Sequence, residues 1–229
     1  DDDDCAEAYP ALEAVPAGGD AFDLTIWKKG SYVLQDGRGQ SQTVRAAEIP
    51  ASREITGPWE VRFPAGWGAP AAQTFPALVS WPLVDNPGIK YFSGTAVYNK
   101  DFDLPEGALS GDSQIVLDLG AVYDIADVYL NGVHLGILWK PPFRVDITKA
   151  ARKGTNKLVV EITNSWQNRL AGDGRLPKAE RVTRSNMIYS RFVYSDTKVE
   201  WKDQILSDSG LLGPVRIRTA KTVKITFDH

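Results

Sequence analysis

Ile125-Ala-Asp-Val-Tyr-Leu130, Asn131-Gly132, Val133-His-Leu-Gly-Ile-Leu138 is the stretch whose reading decides the fold. Ile125, Asp127 and Tyr129 alternate with Ala126, Val128 and Leu130, so a strand here has one apolar face and one mixed face. Asn-Gly between two alternating runs is the strongest short hairpin signal, because a type I′ turn needs positive φ at both central residues. Trp139-Lys140 and then Pro141-Pro142 follow, and the prolines end the second strand because they bring no ladder N–H. Phe143, Val145 and Ile147 alternate with Arg144, Asp146 and Thr148. Gly154-Thr-Asn156 then turns the chain into Lys157-Leu-Val-Val-Glu-Ile-Thr163. About forty residues thus hold four strands and no helical period.

The pattern extends outward on both sides. Residues 1–19 are rich in Ala, Pro and Asp and read as an irregular lead-in, and the Asp1–Asp4 run as a solvated acidic tail. Residues 20–52 read as a small β-meander: Leu24–Lys28, Ser31–Gln35 and Gln42–Arg45 around Lys29-Gly30 and Asp36-Gly37. Residues 53–229 read as one domain. Its expected strands include Glu60–Phe63, Thr95–Leu104, Gln114–Leu119, Val215–Arg218 and Val223–Phe227, with Gly66–Pro76 as loop and Ser209–Pro214 as a buried turn. Lys178–Arg184 is expected to form one helical turn, and Met187–Tyr194 a strand or a loop-edge segment. About a dozen strands with no long helix favour an all-β, two-sheet sandwich.

Composition narrows the function. Of 229 residues, 43% are hydrophobic, enough for one substantial core. Net charge is −3 and no basic stripe exists, which argues against a nucleic-acid partner. No run approaches the ~20 apolar residues of a membrane span, so membrane insertion is not expected. Cys5 is alone and forms no internal disulfide. The chain shows neither an initiator Met nor a signal peptide, so it is expected to start mid-sequence or after processing. Two histidines, His134 and His229, supply neither a triad nor a metal cluster, and there is no Gly-x-Ser-x-Gly elbow. Paired carboxylates remain open as a hydrolytic device, since 29 acidic residues always offer some pair.

A sugar-binding surface is the better-supported reading. A pyranose has apolar C–H faces and a rim of hydroxyls, which an aromatic platform and bidentate polar side chains recognise together. Trp166, Asn168, Arg169 and Asp173 supply that mixture within a segment of no clear period, read as a functional loop. Trp139 and Lys140 are candidates for the same site. Each has a plainer alternative: Trp139 can pack on the proline rings, and Arg169 with Asp173 can brace the loop as an internal salt bridge. Trp59 and Phe63 are assigned to the core; Trp67, Trp81 and Tyr91 are second-rank platforms.

Two layers of resemblance sharpen this. Val128–Gly136, Pro142–Thr148, Gly154–Val160 and Asn164 resemble the sugar-binding domain of glycoside hydrolase family 2, a jelly-roll sandwich of the galactose-binding-like type. Ile55–Pro70, Pro87–Thr95, Leu138–Phe143, Asn168–Leu170 and Ser209–Val215 together resemble the C-terminal region of α-L-rhamnosidases of glycoside hydrolase family 106, over roughly residues 20 to 220. The resemblance implies a galactose-binding-like jelly roll with a small N-terminal β appendage, in a secreted or periplasmic bacterial protein of polysaccharide degradation. It implies a carbohydrate partner containing rhamnose, and catalytic carboxylates in an upstream barrel domain of the same parent chain, so that this chain is not expected to hydrolyse glycosides by itself. Asp173-Gly174 resembles a pair that reaches the sugar site in family 2 relatives. No cofactor is required; a structural calcium is an option in such sandwiches, with Asp85, Asn86, Asp112 and Asp118 near turns as its candidate ligands.

Overall fold

The computed structural model describes residues 9–104, 108–109, 111–183, 185–186, 189–190 and 199–227. Two antiparallel six-stranded sheets make a β-sandwich of the galactose-binding-like kind. The first runs, in order, Val133–Leu138, Ile125–Leu130, Gly154–Thr163, Thr95–Leu104, Trp59–Arg62 and Ala72–Phe75. The second runs Leu12–Gly18, Ala21–Ile26, Arg216–Thr226, Ser113–Asp118 and Arg144–Asp146, with Arg53–Glu54 also pairing on Arg216–Thr226.

The hairpin forms where the sequence places it. Asn131 has φ 53° and Gly132 φ 82°, the two positive values a type I′ turn demands. Asn131 then does more than turn. Its amide donates to the Ala150 carbonyl and to Asn156 Oδ1, both at 2.8 Å, and its oxygen accepts from Lys157 N at 3.0 Å. Asn156 is fully buried and donates onward to the Arg152 and Gly154 carbonyls. This knot closes one end of the first sheet.

Alternation sends Ala126, Val128, Leu130, Leu158, Val160 and Ile162 inward, where they meet Ile115, Leu117 and Ile217 of the second sheet. Trp59 and Phe63 are buried as expected. Trp81 is too, at 0% exposure, which removes it as a platform. Its indole N–H donates to Tyr98 Oη at 2.7 Å, and that oxygen also accepts from Leu211 N at 3.2 Å. Burial pushes the Tyr98 hydroxyl far above its usual pKa, so it stays a neutral donor and acceptor at the centre of the core.

Several local expectations are corrected. Residues 12–18 form an edge strand; Pro16 is tolerated because an edge strand leaves ladder N–H positions unpaired. The loop 66–76 contains the strand Ala72–Phe75, and the turn 209–214 the strand Gly210–Gly213, paired with Ala121–Tyr123. The two closing strands are one continuous strand, Arg216–Thr226. Ala21–Ile26 pairs directly with it, and a second small core of Leu24, Ile26, Val44, Ala46, Ile225 and Phe227 seats the hairpin Gly30–Gln35/Ser41–Ala46. The expected helical turn forms as a 3-10 turn, Lys178–Glu180. Most of 187–194 lies outside the described residues.

Candidate functional site

Strand register decides which loops meet. Leu138 pairs with Ala126, and Ile125 with Thr163, so Trp139 and the Asn164–Trp166 segment leave the first sheet at the same end. They are two strand positions apart, roughly 10 Å at ~4.8 Å per strand. That end is opposite the Asn131–Asn156 knot and carries exposed apolar groups: Ile125, Ile137, Trp139 at 68% and Trp166 at 52%.

The segment read as an irregular loop is in fact a helix, Gln167–Gly174, with Trp166 at its N-cap position. The helix is wedged between neighbours that admit only glycine at two points. A Cβ on Gly172 would lie 2.6 Å from the Tyr91 side chain, and one on Gly174 2.6 Å from Lys202 N. Arg175 ties the C-terminal end down, its Nε to the Lys202 carbonyl at 3.0 Å and its Nη2 to that of Gln204 at 2.7 Å.

Asn168, Arg169 and Asp173 lie on the inner side of this helix, at 2%, 3% and 4% exposure. The Asn168 amide donates to the Ser207 carbonyl at 2.7 Å and Ser209 Oγ at 2.9 Å, and its oxygen accepts from Ser207 N at 2.9 Å. Asp173 accepts from Val182 N, Thr183 N and Thr183 Oγ1. Arg169 Nη1 reaches the Trp67 carbonyl at 3.4 Å, while its Nε is buried 3.9 Å from Asp173 Oδ1 with no hydrogen-bond partner. Burial lowers the Arg169 pKa, and Asp173 and Tyr91 oppose that shift. These three side chains therefore stand behind the surface and hold it. Asn168 and Asp173 are tolerated in the interior because they are hydrogen-bonded, and they fix one geometry.

What they hold is an aromatic pair. Trp166 packs on Trp67 with ring centroids 5.4 Å apart and planes at 58°. Trp67 was legible only as a second-rank candidate, because nothing in its Gly- and Pro-rich neighbourhood shows that the loop folds over onto the helix. Asn164 and Ser209 carry no sequence signal for this role beyond the motifs that contain them. Asn164 donates to the Phe92 carbonyl and Ser209 Oγ and accepts from Gly94 N, so it pins the strand end under Trp166. Trp139 has a lighter setting: Lys140 Nζ lies 5.5 Å over its ring, and the side chain is not packed away on the prolines.

Among the described residues no group of three or more His, Cys, Asp or Glu converges as a metal site. Asn86 accepts from Gly88 N and Ile89 N at the start of the turn Pro87–Lys90, and Asp118 is bound to Arg144. No described helix is long and apolar enough to cross a membrane.

A sequence model described as the glycosyl hydrolase 2 galactose-binding domain-like family matches residues 89–213, more than half of the chain. The chain belongs to that family. The matched span takes in the central hairpin, the helix Gln167–Gly174 and the strand Gly210–Gly213, that is, the Trp139 and Trp166 side of the galactose-binding-like domain. A putative beta-glucuronidase of Formosa agariphila is 41% identical over 201 residues, which cover 82% of this chain and 17% of that protein. A rhamnosidase from Novosphingobium sp. PP1Y superposes with a TM-score of 0.65 at 27% identity, over 92% of this chain and 24% of that one. A beta-glucuronidase of Ruminococcus gnavus matches 49% of this chain and 21% of its own, at 25% identity and a TM-score of 0.42. The galactose-binding-like chain thus spans about a sixth to a quarter of the length of these larger proteins.

Proposed function

We propose that this galactose-binding-like domain is an accessory carbohydrate-binding module of an α-L-rhamnosidase-like glycoside hydrolase. Its exposed end would contact a rhamnose-containing glycan, beside a catalytic domain of the same parent chain. One observation carries the reading: Trp166 presents an exposed indole braced by Trp67 on a frame of buried, hydrogen-bonded polar groups. A rigid aromatic face that is already in place binds a sugar ring without first being ordered. The likeness to the rhamnosidase over nearly the whole chain is what supports a rhamnose-containing ligand. A secreted or periplasmic setting goes with this reading, because the polymer it would meet lies outside the cytoplasm.

Calorimetric titration with L-rhamnose and rhamnose-containing oligosaccharides, with and without Ca²⁺, tests it. Saturable heat that is lost in Trp166→Ala supports the module. Silence at millimolar ligand from a folded sample sinks it.

A second reading has its own support. Ile125, Ile137 and Trp139 are exposed on the same end, and the relatives are several times longer than this chain. Such a patch suits packing against the rest of a parent enzyme. In that case the titration is silent and Ile137→Glu weakens association with the separately expressed remainder of the parent protein.

A further inference from the structure

Three arginines gather on the outer face of the second sheet, away from the Trp166 frame. Arg144 and Arg216 are the cross-strand neighbours of Asp118, one on each side. Arg218 follows two residues after Arg216, on the same face. Arg144 Nε donates to Asp118 Oδ2 at 3.0 Å, and Arg218 Nε lies 3.7 Å from the same oxygen, buried with no hydrogen-bond partner. Tyr9 lies against two of the guanidinium groups, with its ring centre 3.8 Å from that of Arg144 and 4.5 Å from that of Arg218. Burial pushes the Tyr9 hydroxyl up to about 12, so it remains protonated and donates to Asp118. Planar cations stacked on a ring and held by a carboxylate are fixed in direction.

The three arginines and Asp118 line a cavity of about 330 Å³. Its other walls are apolar and include Tyr123, Pro141, Pro142 and Pro214. Of its lining side chains three are cationic and one anionic, and Glu54 lies 3.8 Å from Arg216 at the rim. The size is near the small end of the ~300–1,000 Å³ seen for ligand pockets, suited to one sugar ring. The cavity also adjoins the exposed end already described. Pro141 follows Trp139-Lys140 directly, and Tyr123 stands two residues before Ile125.

We propose that this cavity binds a pyranose carrying an oxoanion, a uronate carboxylate or a sulfate ester, as a charged subsite next to the Trp139-Lys140 turn. Tyr123 and the prolines would meet the C–H face of the ring, and the arginines the anion, for which a guanidinium fork is the matching donor set. The proposal rests on the carbohydrate-binding reading for its class of ligand, but it concerns a different set of residues.

The test is a titration of ¹⁵N-labelled full chain followed by amide NMR shifts. The probes are methyl β-D-glucuronide, methyl β-D-glucoside, a sulfated methyl glycoside and inorganic sulfate. Saturable shifts of Gly120, Tyr123, Arg144 and Arg216 with the glucuronide or the sulfated glycoside, at least tenfold tighter than with the neutral glucoside, support the subsite. Which of the two charged sugars binds tighter assigns the anion. Arg216→Gln should abolish the preference for charge. Its side chain is 32% exposed and its contact with Glu54 is long, at 3.8 Å, so the variant should keep the fold. No shift at tens of millimolar charged sugar overturns the proposal, as does equal binding of neutral and charged sugars. Inorganic sulfate matching the charged sugars overturns the sugar part of it. Trp166→Ala should leave these shifts in place. Absence of rhamnoside binding by the wild-type chain, with the pocket shifts intact, would fail the platform reading alone.

Discussion

Two exposed indoles, Trp166 and Trp139, leave the same end of one sheet yet stand on different foundations. Trp166 leans on Trp67 and opens the helix that carries Asn168, Arg169 and Asp173, all three buried. Trp139 stands on a short segment between Leu138 and Pro141 with only Lys140 above its ring. Both could meet a ligand, but ordering a mobile side chain on binding costs roughly 0.5–1.5 kcal/mol, and only Trp166 has largely met that cost in the free protein. Buried polar groups next to an exposed ring therefore belong to the candidate site through the geometry they fix.

The sharpest way to break this contrast is to remove the foundation and leave the indole. Asp173→Ala strips the acceptor from Val182 N, Thr183 N and Thr183 Oγ1 and leaves Arg169 as a buried, uncompensated cation. Breaking a buried pair from one side destabilises by about 3–5 kcal/mol, so urea unfolding should show a large fall in midpoint. An unchanged midpoint would mean that the frame carries no stability. Asn168→Ala is the milder version. It leaves the Ser207 and Ser209 groups without partners and should cost about 1–3 kcal/mol, with Trp166 fluorescence shifting as its support loosens.

The indoles themselves come next. Trp166→Ala removes an aromatic contact with Trp67 worth about 0.5–1.5 kcal/mol, so stability should fall modestly while affinity for a rhamnose oligosaccharide falls at least tenfold. Trp139→Ala should change stability by no more than ~0.5 kcal/mol and affinity less than Trp166→Ala does. The reverse order of affinities, read by calorimetry on the two variants, would make the lightly supported side the real platform and the braced helix a packing device.

The same contrast explains what could be read from sequence. The hairpin 125–138 and the strand 95–104 were legible because their buried face is apolar and alternates, and because Asn131-Gly132 fixes the turn chemically. The helix 167–174 was not, because its inner face is Asn168, Arg169 and Asp173, and a buried face made of polar residues leaves no apolar period to detect. Glycines 172 and 174 further lower its helix propensity while making its packing fit. The strand 216–226 looked like two because Lys221 and Thr222 interrupt the pattern where the second sheet continues past the main core. The candidate site was legible as a cluster of residue types. The division of labour within it, exposed Trp166 in front and three polar side chains behind, needed the register and the burial.

Acid offers a gentler probe, of the second sheet rather than of either indole. Asp146 lies on the strand that follows the Trp139 turn. Burial alone would raise its pKa, but hydrogen bonds from the Thr148 side chain and backbone and from Gln114 outweigh it, with a smaller contribution from Lys149, and the net shift is below the usual 3.8. A carboxylate whose folded pKa is depressed contributes stability that is fully present above its unfolded pKa. That contribution is lost as the pH falls through the folded value. The window therefore lies below about pH 4, and Asp146→Asn should flatten the fall in Tm between pH 5 and pH 3 slightly while leaving Tm at pH 7 a little lower. Trp166→Ala should show the wild-type slope, because that indole is not anchored through Asp146. If Asp146→Asn keeps the full acid slope, the hydrogen bonds that Thr148 and Gln114 give this carboxylate carry no stability of their own.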